Sequence, residues 1–437
     1  MRPQARRALI AGSVGNFIEW YEFGAYGHMA TVIAVNFFGG DGPAGGAEGL
    51  IRTYASFALA FFFRPVGAAL FGRVGDRLGR RPALVLALAL MTGATTLIGL
   101  LPTYATLGAA APWLLTGVRV LQGLSAGGEF GGAVSLLTEN APPGRRGLYG
   151  AWQSCTVALG LLAGAGLAAV LATVLGPDAL TAWGWRVPFL LAFPLGAVAL
   201  WLRLTLEESP EFRRTAAAAT STAAATSTAP GPAADGVREE LPRPLRAIAL
   251  GIGRIMGWAA AGYTFLVVLP TYLQHTVGTT FQQALTATAL ANLGFAAAVL
   301  PAGALSDRVG RRPVMAAGAA LVVLLAFPLL TLLRSTTAPT VAKAAALLLA
   351  GAAVGAMAGP GPAMLAEMFP SRVRCTGLGL SYALANAVFS GCAGLIVTEL
   401  VERTGNTGIP AYYAAVTCAI SGVALLAPGG EGAPARG

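Results

Sequence analysis

Charged residues are scarce in this chain. Only 11% of its 437 residues are Asp, Glu, Lys or Arg, whereas 55% are apolar, and the mean hydropathy is +0.67. Soluble globular domains carry about 25% charged residues, so this chain cannot cover its surface with groups that water solvates. The composition excludes a soluble protein and predicts an integral membrane protein.

Short segments with alternating apolar and polar residues, which are typical of a membrane barrel, are also missing. The apolar runs are long and rich in Ala, Leu and Gly, and a spanning helix needs about 20 such residues. We therefore predict an all-α membrane fold with twelve spans. Their approximate ranges are 8–36, 50–72, 82–102, 107–137, 147–175, 186–205, 247–273, 283–305, 313–333, 341–366, 375–401 and 410–427.

Residues and motifs for enzymatic or cofactor chemistry are few. The four cysteines lack C-x-x-C spacing, and the two histidines fall near predicted span ends. This pattern argues against a disulfide framework or a zinc site. The sequence has no P-loop, no G-x-G-x-x-G after a strand and no paired nucleophile and base. We therefore expect no metal, no cofactor and no enzymatic activity, including that of an intramembrane enzyme.

The net charge of +10 is unevenly placed. Under the predicted topology, 21 of the 29 Lys and Arg residues lie on one side, five on the other and three within spans. Positive charge concentrates on the cytoplasmic side of membrane proteins, so no nucleic-acid partner is needed to explain it. Because the number of spans is even and the basic loops lie on alternate sides, we expect both termini in the cytoplasm. We also expect the first span to be retained and not cleaved as a signal peptide, because Glu19 and Glu22 interrupt the apolar run that follows Arg7.

A charged segment occurs twice. Residues 72–82 read G-R-V-G-D-R-L-G-R-R-P and residues 303–313 read G-A-L-S-D-R-V-G-R-R-P, which places Asp76 and Asp307 231 residues apart. Likewise, Glu139 and Glu367, 228 residues apart, each end the fourth span of a half and precede Pro and Arg. Such a repeat predicts two similar six-helix halves, 1–205 and 247–437. The Ala/Thr/Ser/Pro-rich stretch 206–246 is predicted to be a cytoplasmic linker.

The run G-x-x-x-D-R-x-G-R-R between two spans resembles the signature loop of the major facilitator superfamily. That resemblance implies a transporter in which Asp76 and Arg77 latch span 2 against span 11. Glu139 would be a partner for the loop arginines Arg77, Arg80 and Arg81. The second half would mirror this set with Asp307, Arg308, Arg311 and Glu367. The alternative is that the repeated loop only sets topology through its positive charge.

Six ionisable residues lie well inside predicted spans, away from their ends: Glu19, Glu22, Arg64, Arg119, Glu129 and Arg254. Each costs roughly 2.5–3.5 kcal/mol at the bilayer centre, so they must pair or face a wet cavity. Counting about 1.5 Å per residue places Glu19 and Glu129 near the midplane. The three acids are candidate proton carriers, and we expect Glu19 or Glu129 to carry the translocated proton. Glu22 and Arg119 lie at similar depth, so we expect them to pair. The alternative to a role in transport is that this ion pair is purely structural.

Substrate contacts are predicted from the remaining cations and from polar span positions. Arg64 and Arg254, one from each half, are expected to converge on a carboxylate and bind it with both guanidinium forks. The other candidates are Arg119 and Gln122 on span 4, Tyr263 on span 7, and Tyr382 and Asn386 on span 11. The glycines of span 4 are predicted to be mainly helix-packing surface. The G-P-G-P run at 359–362 is predicted to break span 10 where it faces protein or a cavity.

Several stretches resemble the metabolite:proton symporter family, which includes permeases for α-ketoglutarate, citrate, shikimate, and proline or betaine. They are residues 15–23, 119–129, 183–189, 206–212 and 366–372. Glu22 stands where that family usually has Asp. Residues 377–387 look closest to the dicarboxylate permeases.

The resemblance implies a monomeric transporter in the cell membrane that imports a small carboxylate-bearing metabolite, di- or tricarboxylate-like, together with protons. The proton gradient would be the energy source. The alternative is a zwitterionic osmolyte such as proline or betaine, for which Trp20, Tyr21, Trp258 and Tyr263 offer aromatic rings.

Overall fold

The computed structural model describes residues 3–39, 47–205 and 244–427, and these residues fold into helices without a β-strand. The predicted all-α fold is confirmed. We number the long helices as spans 1 to 12, and a span interrupted by a break or a π-helical turn keeps one number. The spans of the first half are Pro3–His28 with Ala30–Phe38, Ala47–Arg77, Arg80–Leu100, Ala110–Glu139, Arg146–Ala182 and Val187–Leu204.

The spans of the second half follow in the same order. They are Pro244–Tyr263 continued by Thr264–Val268, Leu269–Tyr272 and Leu273–Val277; Phe281–Val309; Arg311–Arg334; Thr340–Ala358 with Gly361–Glu367; Arg374–Asn386 with Ala387–Gly391 and Ala393–Thr404; and Ile409–Leu426. Two short helices, Tyr104–Leu107 and Gly184–Arg186, connect spans of the first half.

Ten of the twelve spans are apolar and long enough, by length and composition, to cross a membrane. The two others among the described residues are spans 1 and 4, which carry Glu19, Glu22, Arg119 and Glu129. The least apolar helices are therefore those that bring charge into the bundle.

The repeated charged segments are largely helical rather than looped. Span 2 continues to Arg77, so that only Leu78 and Gly79 separate it from span 3. Gly310 alone separates spans 8 and 9. Gly79 and Gly310 adopt φ values of 115° and 104°. Residues that carry a Cβ atom rarely adopt such positive φ values. The predicted spans ended too early here because the helices run past the apolar stretch.

Close helix contacts in each half depend on glycine. A Cβ on Gly123 of span 4 would lie 1.9 Å from the carbonyl oxygen of Ala60 on span 2. In the second half, a Cβ on Gly351 of span 10 would lie 1.8 Å from the carbonyl oxygen of Ala291 on span 8. The packing role predicted for the span 4 glycines is confirmed, and the two halves use the same device.

Span 10 is broken where the G-P-G-P run predicted it. One helix ends at Ala358 and the next begins at Gly361. The carbonyl of Ala358 accepts a hydrogen bond from Ser154 of span 5 at 2.8 Å, so the break is buried in protein. The π-helical turns Thr264–Val268 and Ala387–Gly391 were not predicted; they directly follow Tyr263 and Asn386.

The predicted linker, 206–246, lies outside the described residues except for 244–246, which begin span 7. The family-like stretch 206–212 also lies outside them.

Candidate functional site

Asp76 joins the two halves at the end of the bundle that carries the charged segments, which we call the basic face. Its carboxylate accepts hydrogen bonds from the backbone N–H groups of Cys375 (3.2 Å) and Thr376 (3.0 Å), and from the Thr376 hydroxyl (2.7 Å). These N–H groups belong to the first turn of span 11, where a carboxylate complements the helix dipole. Span 2 is thus tied to span 11, the pair that the resemblance implies.

Asp307 forms the same connection with the halves exchanged. Its two oxygens accept hydrogen bonds from the backbone N–H groups of Gly147 (2.8 Å) and Leu148 (2.9 Å) in the first turn of span 5. The sequence repeat is therefore a structural repeat, because each half presents a carboxylate to a helix N-terminus of the other half.

Arginines surround both carboxylates. Arg80 pairs with Asp76 and Glu139, each at 3.1 Å, and donates to the Ser371 carbonyl at 2.9 Å. Arg374 of the second half also contacts Glu139 at 3.1 Å. Glu139 is thus shared by cations from both halves, and the basic face is closed.

The second-half network is smaller. Arg311 pairs with Asp307 at 2.7 Å and with Glu367 at 3.1 Å. Arg81 donates to the Leu204 carbonyl at the end of span 6, at 2.5 Å. Arg77 and Arg308 are exposed, and neither belongs to the described hydrogen bonds between the halves. The structure thus forms two networks, one of Asp76, Arg80 and Glu139 and one of Asp307, Arg311 and Glu367. Arg77 and Arg308 belong to neither of the described networks.

The opposite face has a different character. A cavity of about 260 Å³ opens there between spans 2, 7 and 11, and its lining includes Tyr54, Thr271 and Gly394. The hydroxyl groups of Tyr54 and Thr271 form a hydrogen bond of 2.5 Å between the halves.

A small central cavity of about 40 Å³ lies between the halves. This volume holds at most a few water molecules. Aromatic residues from both halves line it, namely Trp20, Trp258, Tyr263 and Tyr382, together with the amide of Asn386. None of the described residues that line it carries a charge. Three predicted contact residues, Tyr263, Tyr382 and Asn386, therefore reach this cavity.

Arg64 lies behind the aromatic wall of the central cavity. Its guanidinium centre is 4.0 Å from the ring centroid of Phe61, 4.4 Å from that of Phe23 and 5.6 Å from that of Trp20. Its Nη2 approaches Glu19 Oε1 at 3.8 Å, an ion pair too long for a hydrogen bond. The buried Nε and Nη2 atoms have no hydrogen-bond partner.

Glu22 and Arg119 are connected through two other side chains, so the expected direct pair is not formed. Thr95 donates to Glu22 at 2.5 Å, Gln122 donates to Thr95 at 2.6 Å, and Arg119 donates to Gln122 at 2.6 Å. The Arg119 guanidinium centre lies 3.9 Å from the centroid of Tyr26. Its Nε and Nη2 atoms are also buried without a partner.

Glu129 pairs with Arg203, a residue that the sequence analysis missed. Both carboxylate oxygens accept from the guanidinium, with Nη1 to Oε2 at 2.7 Å and a second bond from Nη2 to Oε1. Arg203 also donates to the Leu84 carbonyl at 2.7 Å. The predicted range of span 6 placed Arg203 at the membrane edge, but it is fully buried.

Arg254 does not converge with Arg64, which corrects the expected two-fork site. Its guanidinium donates to the backbone carbonyls of Ala424 (3.4 Å) and Ala427 (3.2 Å) at the end of span 12. A cation at a helix C-terminus interacts favourably with the dipole there.

Among the described residues, no group of three His, Cys, Asp or Glu side chains is placed to hold a metal ion.

The chain matches the family described as "Sugar (and other) transporter" over residues 8–427. It is 34% identical over 430 residues to the ectoine/proline transporter ProP of Corynebacterium glutamicum, covering 97% of this chain and 84% of that protein. It is 35% identical over 412 residues to the citrate-proton symporter of Klebsiella pneumoniae, covering 93% and 88%. Among solved structures, the proton:xylose symporter XylE bound to 6-bromo-6-deoxy-D-glucose is similar, with a TM-score of 0.78, 18% identity and coverage of 96% and 94%. This last similarity concerns the fold alone.

Proposed function

Because the chain belongs to the Sugar (and other) transporter family of major facilitator membrane transporters, we propose that it transports a small zwitterion together with protons. This membership confirms the predicted major facilitator fold with twelve helices. It also shows that the chain is a transporter and not an enzyme. The proposed substrate class has one carboxylate and one cationic amine, as in proline and betaines.

The lining of the central cavity carries this proposal. Trp20, Trp258, Tyr263 and Tyr382 surround a cavity between the halves without a charged side chain among them. Aromatic faces attract quaternary and protonated amines, whereas an anion gains nothing from them. The Asn386 amide supplies hydrogen bonding at the same cavity. The similarity to an ectoine/proline transporter supports the same class.

The balance of buried charge supports a substrate with a single carboxylate. Glu19, Glu22 and Glu129 are buried with Arg64, Arg119 and Arg203 in the first half, so the cluster has no net charge when all are ionised. A buried charge without a partner is strongly destabilising. Arg254 lies at the end of span 12, so the structure does not form the expected pair of guanidinium groups from opposite halves. A dicarboxylate substrate therefore gains no support from such a pair.

Transport requires the two halves to move. The basic face is closed by bonds between the halves, and the central cavity of about 40 Å³ is too small for a metabolite. The cavity must therefore widen when one face opens, as expected for alternating access in a transporter with repeated halves. We propose that the basic face lies in the cytoplasm because it carries the positive charge, and that both termini lie on the same side.

A di- or tricarboxylate remains a second candidate because of one specific observation. Arg64 and Arg119 lie on Phe23, at 4.4 and 5.2 Å from its ring centroid, and each has two buried nitrogen atoms without a hydrogen-bond partner. Two such forks in the first half would suit two carboxylates. The similarity to a citrate-proton symporter agrees with this candidate.

Uptake by proteoliposomes tests the proposal. Purified protein is reconstituted, a pH gradient is imposed, and accumulation of labelled proline, glycine betaine, ectoine, citrate and α-ketoglutarate is compared with liposomes lacking protein. We expect proline, betaine or ectoine to accumulate and to do so only with the gradient. Accumulation of citrate or α-ketoglutarate alone would establish the second candidate instead.

A further inference from the structure

The two ion pairs that flank the centre of the first half differ in tightness. Glu129 has both oxygens engaged by Arg203, which is itself anchored on the Leu84 carbonyl. Glu19 meets Arg64 only at 3.8 Å, and Arg64 retains two buried nitrogen atoms without a hydrogen-bond partner. Glu19 therefore balances the charge of Arg64 but leaves two of its buried nitrogen atoms without a hydrogen bond.

Arg64 also reaches the wall of the central cavity through its aromatic neighbours. Trp20 lies 5.6 Å from its guanidinium centre and is itself part of the cavity lining. Phe61, 4.0 Å from the guanidinium, packs against Tyr263 of the lining with ring centroids 5.4 Å apart. A ligand in a widened cavity would thus be one side chain away from the unpartnered donors.

We propose that the substrate carboxylate and the Glu19 carboxylate compete for Arg64, and that a proton on Glu19 decides the competition. This inference rests on the proposed function. While Glu19 is ionised, Arg64 has its counter-charge, and a second carboxylate would leave an excess negative charge in a buried place. When Glu19 takes up a proton on a carboxylate oxygen, Arg64 loses that counter-charge and the substrate carboxylate replaces it.

Release runs in the opposite direction. Departure of the substrate leaves Arg64 without an anion, and Glu19 then loses its proton to the open side and restores the pair. One proton and one carboxylate therefore move together, with no bond broken except the O–H bond of Glu19. The pair could not exchange partners in this way if it were clamped by two hydrogen bonds, as Glu129 and Arg203 are.

The charged and titratable groups that face Glu19 are few. Arg64 comes from span 2, Glu129 from span 4, Arg203 from span 6, Tyr263 from span 7 and Tyr382 from span 11. Glu22 lies one turn away on the same helix. Span 5, which packs along span 1, contributes Gln153 and Thr156 near Asn16, and neither of these is ionisable. Among these groups, Arg64 has two buried nitrogen atoms without a hydrogen-bond partner, whereas Arg203 has one, its Nε, and both of its Nη atoms are engaged.

Glu19→Gln in the full chain tests the competition. The variant mimics the protonated state, so glycine betaine or proline should still bind and exchange across the proteoliposome membrane. Accumulation driven by a pH gradient should be lost, and substrate addition should no longer move protons, as reported by an internal pH dye. Binding to the wild type should weaken as pH rises, whereas binding to the variant should not. Asp178→Asn, an exposed acid at the end of span 5, is the matched control and should behave like the wild type.

Arg64→Lys tests the other partner and applies also if Glu19→Gln fails to insert. Lysine keeps the charge but loses the fork, so the half-saturation concentration should rise about tenfold while substrate addition still moves protons. Unchanged binding by this variant overturns the proposal, as does retained accumulation by Glu19→Gln. If the wild type transports none of the five substrates, the proposed function fails first; if only the Glu19 result fails, the transporter stands and its proton site lies elsewhere.

Discussion

Asp76 accepts two hydrogen bonds from Thr376, one from its backbone N–H at 3.0 Å and one from its hydroxyl at 2.7 Å, across the boundary between the halves. Gly72, one turn before Asp76, permits this approach, since a Cβ there would lie 2.9 Å from the Thr376 Cα. A small residue and an acid four positions apart thus hold the basic face closed.

Replacing this acid should loosen the closed face. In Asp76→Asn the side chain keeps one acceptor but loses its charge, and hydrogen bonds to charged groups contribute about 1.5–3 kcal/mol. We expect normal insertion, slower transport, and more frequent opening of the basic face. Cys375, buried beside Asp76 and hydrogen-bonded to Ser135 at 3.3 Å, should then react about tenfold faster with a membrane-permeant maleimide.

The measurement uses a background in which the other three cysteines, Cys155, Cys392 and Cys418, are replaced by serine. Arg77→Gln is the control, because Arg77 is adjacent in sequence but exposed. Equal labelling and turnover in Asp76→Asn and wild type would leave the charged segment with a topological role only.

Breaking the buried pair of Glu129 and Arg203 should be costly. In Arg203→Met, Glu129 loses both of its described hydrogen-bond donors, and truncating one partner of such a pair costs about 3–5 kcal/mol. We expect a large fall in the thermal unfolding temperature in detergent. The double variant Glu129→Gln/Arg203→Met should recover much of the loss because no buried charge is left alone. Equal stability of the single and double variants would contradict the described pairing.

Alanine at Gly123 should prevent spans 2 and 4 from packing. The added methyl would lie 1.9 Å from the Ala60 carbonyl oxygen, and overpacking typically costs about 1–3 kcal/mol. Gly117→Ala on the same span is the matched control, since a Cβ there meets nothing within 4 Å. We expect lower thermal stability and less monodisperse protein for the first variant and no loss for the second.

Removing an aromatic face from the central cavity should weaken binding of a cationic substrate. Trp258→Leu is expected to raise the half-saturation concentration for glycine betaine roughly 2- to 30-fold, the range given by about 0.5–2 kcal/mol of cation–π attraction. Trp258→Tyr should have a smaller effect because it keeps a ring. Trp113, 78% exposed, supplies the control Trp113→Leu. A weakened citrate affinity in Trp258→Leu with unchanged betaine affinity would favour the carboxylate candidate.

Topology can be read from single cysteines. The predicted linker lies outside the described residues, and we expect Thr220→Cys to be labelled in intact cells only by a permeant reagent. Asn406→Cys, at the exposed turn between spans 11 and 12 on the opposite face, should react with an impermeant reagent. The reverse pattern would invert the assignment of the basic face to the cytoplasm.

The amino-acid sequence alone determined the membrane class, the helical fold and the repeat of Asp76 in Asp307. These properties depend only on the order of residues along the chain. Bilayer thickness sets the length of an apolar run, and a repeated motif keeps its spacing however the helices pack. The break in span 10 followed in the same way from glycine and proline, whose backbone limits are local.

Only the tertiary structure decided which charges meet. The sequence predicted that Glu22 pairs with Arg119 and that Arg64 and Arg254 converge on a substrate carboxylate. The structure instead pairs Glu19 with Arg64 and Glu129 with Arg203, and it places Arg254 at the end of span 12. Depth counted along one helix does not include the rotation of that helix, its extension beyond the bilayer, or the neighbour it packs against. A long side chain such as arginine then pairs with whichever acid the packing of several helices brings within its reach.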